Sequence, residues 1–435
     1  PPPPPPPPPP PQEADRRQRQ MCIRDRNRTS IPYAEALHIV RDHVKPLPTE
    51  TLPLEKALGR FLARAAKAPA HSPRFEQSAM DGYAVKMADV KGARPDRPVT
   101  LQLLDELPAG DQRQVILKSG HTVKVFTGSR LPRGAEAVVM KEYVTLDNGR
   151  AVVAWKVDQG DHIRRVGEEY RKGDVILPVG TRVTPPVVGM LVMLGKTEVA
   201  VRRLPAVTVL TMGDELVPPG TRPGAGQIPD SNGPAVTAAL RALGLTRVKH
   251  RRVKDSLAAL TRAMRAGLGE SDLLITVGGA SVGDYDYVHD ARRALQVKDL
   301  FKKVAIKPGK PNLFGLAPGR KPVFGLPGNP VSALVSVHQL AKPALLKMMG
   351  APDKEAAVVP VRLKQNPKQA KGRLGLLRGR TKMVGQDLEA TLVTGQGSHM
   401  LSGLALADVL VVIPADTTEV RAGGILRAVE LDWDR

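Results

Sequence analysis

Between Ala206 and Met349 the chain alternates short apolar runs with stretches of helical periodicity, and few folds accept that rhythm. Apolar, β-branched runs predict strands at 206–211, 246–252, 272–277, 301–306 and 322–326. Between them, helical spacing predicts helices at 232–243, 256–268, 287–295 and 331–349. Asp230 or Ser231 is positioned to cap the first of these helices, and Asp255 the second. A strand that returns parallel to its predecessor needs a long crossover, usually a helix. The alternation therefore predicts a parallel, doubly wound α/β sheet. In such sheets ligands bind beyond the carboxyl ends of the strands.

Three unusual loops fall at those ends. Leu274-Ile-Thr-Val-Gly-Gly-Ala-Ser-Val-Gly-Asp-Tyr-Asp-Tyr287 passes from an apolar run into glycines, a hydroxyl and two carboxylates. Gly278, Gly279 and Gly283 leave the backbone bare, so that amides approach phosphate oxygens closely, and Ser281 adds a hydroxyl. Asp284 and Asp286 either hold a hard cation such as magnesium or cap the helix that follows. Lys307-Pro308-Gly309-Lys310-Pro311 is a proline-stiffened lysine loop, with Lys303 just before it. Lysine is a compact point charge suited to an oxyanion. Gly325-Leu-Pro-Gly-Asn-Pro-Val-Ser332 follows the next apolar run. Together the loops describe a pocket for an anionic ligand with carboxylates nearby. Thr211-Met-Gly-Asp-Glu-Leu216 brings two more acids to the same edge, whereas Asp81, in Ser78-Ala-Met-Asp-Gly-Tyr-Ala-Val85, reads by itself as a turn residue.

Around this domain the composition changes. Residues 1–29, which open with eleven prolines, bury no core and are read as a disordered or artefactual tail. Ser30 is placed to cap a helix through Val40, and 54–62 reads as a second short helix. Short alternating strands from 69 to about 160 predict an inserted β-rich domain, after which 161–202 rejoins 30–68 in a discontinuous N-terminal domain. The α/β domain spans 203–350. Strands at 357–363, 388–393, 408–413 and 426–431 predict a C-terminal β-barrel over 351–435. The fold class is multidomain α/β. At 435 residues, two to four domains are expected.

The formal charge of +22 favours anionic ligands, but aromatic residues make up only 3% of the chain. That argues against a nucleic-acid partner, since RNA and DNA binders usually interleave their basic clusters with aromatic residues for stacking. One cysteine, Cys22, excludes a disulfide framework. No apolar run reaches membrane-spanning length and no secretory leader opens the chain, so a soluble cytoplasmic protein without a membrane partner is expected.

Read in order, Ser78–Val85, Thr127-Gly128, Arg164-Arg-Val-Gly-Glu168, Gly213-Asp-Glu-Leu216, Gly278-Gly-Ala-Ser-Val-Gly283, Lys307–Pro311 and Gly325-Leu-Pro-Gly-Asn-Pro330 resemble the motifs of the molybdopterin molybdenumtransferases. These are the molybdenum insertases, and the gephyrin E domain is their vertebrate relative. The resemblance covers about 30–435. It implies a homodimer that takes molybdate and adenylylated molybdopterin, releases AMP with the help of magnesium and yields molybdenum cofactor. Molybdopterin adenylyltransferase and acceptor molybdoenzymes are implied as transient partners. The corresponding catalytic residues are Asp81, Glu215, Asp255, Asp286, Lys303 and Lys307, with Asp255 and Asp286 toward the metal. The implied oxyanion site uses Lys307, Lys310, Pro311, Ser332, Arg373 and Ser398. Thr127, Gly278, Gly279, Ser281, Gly283, Asn329 and Pro330 complete the substrate set. Asp81 and Thr127 are expected to reach the site across the dimer. The chain departs from the family pattern at Met212, Glu169, Gly375 and Leu376.

Two other functions compete: a scaffold that keeps the fold but binds a protein partner, and a charge-driven nucleic-acid binder. The acid and lysine set favours the enzyme, since a scaffold has no use for it. Molybdate-dependent AMP release separates the first, and steeply salt-dependent DNA binding the second.

Overall fold

The computed structural model describes residues 30–279, 287–353 and 357–433. They form two compact units. One contains residues 30–63, Gly180–Val183 and the chain from Glu198 onward; the other contains Arg64–Val179 and Thr184–Thr197.

The first unit holds the α/β sheet. Its strand order is Val248–Val253, Val207–Met212, Leu273–Val277, Lys321–Leu326, Leu313–Ala317 and Lys298–Phe301. The first four run parallel. Side chains alternate between the two faces, as strand geometry requires. Val207, Val209, Ile275 and Phe324 join a core with Val236 and Leu240 of helix Asn232–Ala242 and with the 330–348 helical run. Leu210, Leu274 and Val323 face the other way, onto Leu260 and Met264 of helix Leu257–Glu270 and Val288 of helix Tyr287–Ala294. Apolar residues on both faces are what a doubly wound sheet demands.

The sheet is not wholly parallel. Leu313–Ala317 and Lys298–Phe301 are antiparallel edge strands. Only the Pro318–Arg320 turn links Leu313–Ala317 to Lys321–Leu326, and so short a link permits no parallel return. The strand expected at 301–306 is therefore two pieces, Lys298–Phe301 and Ile306–Lys307, in different sheets. The helix expected at 54–62 is only a 3-10 turn at Leu54–Lys56, because Phe61 and Leu62 bridge to Arg182 and Val201 instead. Ser30 caps nothing: the first helix starts at Tyr33, after Pro32. Ser256 rather than Asp255 caps Leu257–Glu270, accepting from the Ala259 amide at 3.2 Å. The 331–349 expectation meets a helical run through Met348 interrupted by a π-turn at Val337–Ala341. Pro343 has no amide to give the Gln339 carbonyl, and the Tyr33 hydroxyl donates to that carbonyl at 3.3 Å.

The same unit contains a closed barrel. Leu374–Val384, Asp387–Leu392, Val358–Leu363, Ile425–Glu430 and Val409–Ile413 pair in turn, and the last closes back on the first. Ile306–Lys307 adds to Leu374–Val384 in parallel, so the lysine loop is anchored in the barrel wall. Leu374–Val384, the longest strand, was not anticipated from the sequence.

The second unit is built on a curled six-stranded sheet in the order Ala137–Met140, Gly82–Val85, His121–Val125, Val99–Leu107, Arg150–Val153 and Val144–Asp147. Asn148 and Gly149, both at positive φ, make its tightest hairpin. Val85 and Val139 pack on one face, and Ala84, Val123 and Val138 on the other. Among the described residues no helix is long and apolar enough to cross a membrane.

Candidate functional site

A cleft of about 1150 Å³ opens in the first unit where the parallel strands end. Met212, Gly213 and Glu215 follow one strand, Asp255 a second, Gly278 and Gly279 a third, and Pro327 to Pro330 a fourth. Lys303, Lys310 and Pro311 form the side nearest the barrel, and His399 comes from a barrel loop. Glu215, Asp255, Gly278, Gly279, Lys303, Lys310, Pro311, Asn329 and Pro330, all singled out from sequence, thus share one cavity.

Gly278 and Gly279 take φ of 92° and 66°, a region other residues enter at a cost. A Cβ on Gly279 would stand 3.0 Å from the Met212 Cε. Met212, 6% exposed, therefore fills the space beneath the glycine turn, which gives this departure from the family pattern a packing role. Gly375 has a comparable cause: a Cβ there would meet Gln369 Oε1 at 2.3 Å, and Gln369 donates to the Pro414 carbonyl at 2.9 Å. Leu376 is 1% exposed and belongs to the main core. Glu169 lies in the second unit and accepts from the Ser72 hydroxyl at 2.8 Å.

The acids crowd one rim. The Asp255 amide donates to Asp214 Oδ1 at 3.2 Å. Desolvation, with repulsion from Asp214 and Glu215 beside it, pushes the Asp255 carboxyl above its ordinary value, although the Asp214 backbone amide pulls it the other way. Lys302, Lys303 and Lys310 line the same cleft and supply positive charge, and the Lys310 carbonyl accepts from the Val304 amide at 2.9 Å. Acids and lysines lining one cavity suit a polyanion accompanied by a cation. No cluster of three or more His, Cys, Asp or Glu close enough to hold a metal occurs among the described residues. A hard cation here would need substrate oxygens to complete its shell, as magnesium commonly does. Ser281, Gly283 and Asp286, with Asp284, lie outside the described residues.

Other sequence candidates sit around the cleft rather than on its wall. Ser398 accepts from Asn329 Nδ2 at 3.0 Å, and its carbonyl accepts from the Val331 amide at 3.1 Å, tying the barrel loop to the cleft. Lys307 is exposed on its short strand, Ser332 is buried in the first turn of its helix, and Arg373 is half-buried just before Leu374. Asp81 and Thr127 belong to the second unit. The Thr127 amide and hydroxyl donate to Asp81 Oδ1 at 2.9 and 3.0 Å, and Lys141 stands 3.4 Å from Oδ2. The Thr127 amide, then its hydroxyl, then Lys141 hold the Asp81 carboxyl below its ordinary value. Gly82 is forced here, since a Cβ would lie 2.1 Å from the Val139 carbonyl oxygen.

Sequence reasoning missed Asn232, His399 and Arg378. Asn232 lines the cleft and donates to the Gly328 carbonyl at 2.6 Å. Arg378 is fully buried in the barrel, where Nη2 donates to the carbonyls of Gly395 and Gly397 at 2.8 and 3.2 Å. Its Nε and Nη1 have no partner among the described residues. Gly397 immediately precedes Ser398 and His399, so an under-used guanidinium stands behind the loop that closes the cleft. The only signal for it in sequence is an arginine at an inward position of an apolar strand.

Comparison with known proteins agrees with this geometry. Residues 31–195 match the MoeA N-terminal region (domain I and II), 208–347 the probable molybdopterin binding domain, and 360–429 the MoeA C-terminal region (domain IV). The molybdopterin molybdenumtransferase of Haemophilus influenzae is 36% identical over 388 residues, covering 87% of this chain and 93% of its own. Molybdopterin molybdenumtransferase 2 of Mycobacterium tuberculosis is 35% identical over 412 residues, covering 92% and 98%. The crystal structure of the molybdopterin biosynthesis MoeA protein of Pyrococcus horikoshii OT3 superposes with a TM-score of 0.80 at 29% identity, over 92% of this chain and all of that one. The chain belongs to the molybdopterin molybdenumtransferase family, transferases of molybdenum-cofactor biosynthesis.

Proposed function

We propose that this enzyme inserts molybdate into adenylylated molybdopterin, with release of AMP and molybdenum cofactor. The observation that carries the reading is the cleft itself. Three lysines, Lys302, Lys303 and Lys310, and a bare glycine turn share one cavity with the carboxylates of Glu215 and Asp255, and Arg378, whose Nε and Nη1 meet no partner among the described residues, stands behind its barrel loop. A phosphoanhydride and a tetrahedral dianion are both polyanions, and such a wall suits them.

In this reading Lys303 and Lys310 bind and orient the anionic groups, and the Gly278-Gly279 amides approach a phosphate without side-chain obstruction. Lys307, Pro311, Ser332, Arg373 and Ser398 remain candidates for the molybdate pocket, to which Arg378 is added. Asn329 fixes Ser398, and with it the barrel loop, against the strand ends. Asp255, whose proton is held more tightly than usual, and Glu215 orient the attacking water toward the anhydride. Magnesium held by Asp255 and Asp286 would offset charge on the leaving phosphate. The enzyme works as a homodimer in the cytoplasm, with Asp81 and Thr127 of the partner subunit completing the site. Their preorganised, exposed pairing supports that role.

Purified protein given adenylylated molybdopterin should release AMP only when molybdate is present. AMP release at the same rate without molybdate, or none with it, would overturn the reading. Mixing Asp81→Ala with Lys307→Ala protein should restore part of the lost activity, because a mixed dimer keeps one intact site. No recovery after proven subunit exchange counts against a shared site.

A further inference from the structure

A buried polar cluster lies directly under the cleft wall. The Asp230 side chain is 1% exposed. Its Oδ2 accepts from the Thr211 hydroxyl at 2.6 Å and its Oδ1 from the Gly233 amide at 3.0 Å. His250 Nε2 stands 2.8 Å from Thr211 Oγ1 and 3.2 Å from Asp230 Oδ2. Thr211 has one hydroxyl hydrogen, and the carboxylate takes it. Thr211 must therefore accept from His250, which fixes the proton on Nε2. A Cβ on Gly233 would lie 2.1 Å from that nitrogen, so no side chain at 233 coexists with His250 in place. Burial by itself would raise the Asp230 carboxyl, but the His250 contact, the Gly233 amide and the Thr211 hydroxyl outweigh it and hold the group below its ordinary value.

Each partner sits on a different part of the cleft wall. Thr211 immediately precedes the stretch that carries Met212, Gly213 and Glu215. Asp230 lies between Pro229 and Ser231-Asn232, all three of which line the cleft, and its amide donates to the Val217 carbonyl at 2.9 Å. His250 is on the strand that leads to Asp255. We propose that Asp230 is a positioning residue which, through Thr211 and His250, holds the segments carrying Glu215, Asn232 and Asp255 in one mutual register. The proposal rests on the reading of the cleft as the insertase site. One buried carboxylate joins three segments that are well separated along the chain, and small errors in the placement of catalytic groups slow reactions steeply.

The test uses full-length Thr211→Val, Thr211→Ser and Asp230→Asn protein. Valine keeps the shape of threonine and loses the hydroxyl; serine keeps the hydroxyl. Amide hydrogen exchange is followed in peptides covering 211–217, 228–233 and 250–256, alongside kcat and KM for AMP release. Thr211→Val and Asp230→Asn should speed exchange about fivefold or more in all three peptides together. Both should lower kcat about tenfold or more with KM changed less than about threefold, and Thr211→Ser should behave like wild type. The proposal is overturned by wild-type kcat in Thr211→Val, by faster exchange only in the peptide carrying the substitution, or by a Thr211→Ser defect equal to that of valine. If Asp230→Asn fails to fold, the Thr211 pair decides. If wild-type protein releases no AMP, the insertase reading fails, and the exchange data alone decide whether the cluster couples the three segments.

Discussion

Replacing Arg378 by methionine sets stability against ligand binding. Arg378 is fully buried, with two Nη2 contacts to carbonyls and two nitrogens that meet no partner among the described residues. Arg292, also fully buried, has the Asp299 carboxylate at 2.8 and 2.5 Å. Burial pushes the Arg378 guanidinium below its ordinary value, the direction expected of a desolvated cation without a counter-ion. Each unmade buried donor costs about 1–3 kcal/mol, so Nε and Nη1 together cost about 2–6 kcal/mol in the ligand-free protein. Methionine removes that cost. It strips one partner from the Gly395 carbonyl, again about 1–3 kcal/mol, while the Gly397 carbonyl keeps the Met400 amide at 3.1 Å. The balance runs from about 1 kcal/mol destabilising to about 5 kcal/mol stabilising, whereas breaking a paired buried ion costs about 3–5 kcal/mol. The oxyanion side runs the other way. Loss of one charge-assisted contact of about 1.5–3 kcal/mol weakens molybdate binding by about 10- to 150-fold. Urea unfolding with and without molybdate reads both effects. Without ligand the variant should lie no more than about 1 kcal/mol below wild type, or exceed it. At a molybdate concentration one hundred times the wild-type Kd, which stabilises wild type by about 2.7 kcal/mol, it should gain only about 0.3–1.4 kcal/mol. Destabilisation by about 3 kcal/mol with the molybdate effect intact would refute the reasoning and leave Arg378 as a structural residue.

Three further outcomes follow from the geometry. Because the folded Asp255 carboxyl lies above its unfolded value, its ionisation opposes folding, so stability falls as pH rises through that range; Asp255→Asn should be slightly more stable than wild type at pH 7 and equal to it in acid, as measured by urea unfolding across pH. Gly82→Ala places a methyl 2.1 Å from a backbone oxygen and should cost about 1–3 kcal/mol or more in thermal unfolding, with soluble yield falling accordingly. Lys310→Ala removes a cleft cation while keeping the backbone bond to Val304, so calorimetry should show weakened molybdate binding with an unchanged unfolding transition.

The fold was legible where local rules and global packing agree. Val207–Met212 and Leu273–Val277 are apolar on both faces, and that pattern alone predicts a sheet covered by helices on each side. The edge of the same sheet was not legible, because Leu313–Ala317 takes its direction from the turn after it and not from its own residues. The Leu374–Val384 strand escaped for another reason. Its run of Leu-Gly-Leu-Leu-Arg-Gly-Arg lacks alternation, since it pairs with three neighbours and is buried irregularly on both sides.

The site divides along the same line. Glu215, Gly278, Lys303, Lys310 and Asn329 stand at the ends of predictable elements, so their convergence follows once the sheet order is known. Arg378 depends on barrel closure: only when Val409–Ile413 closes on Leu374–Val384 does the guanidinium meet the 395–397 loop, and only then does that loop carry Ser398 to Asn329. A sequence shows that an arginine interrupts an apolar strand but does not show whether an aspartate waits for it. For Arg292 one does, and the side chain is spent on structure. For Arg378 none does among the described residues, and the missing negative charge is the strongest argument that its partner arrives with the substrate.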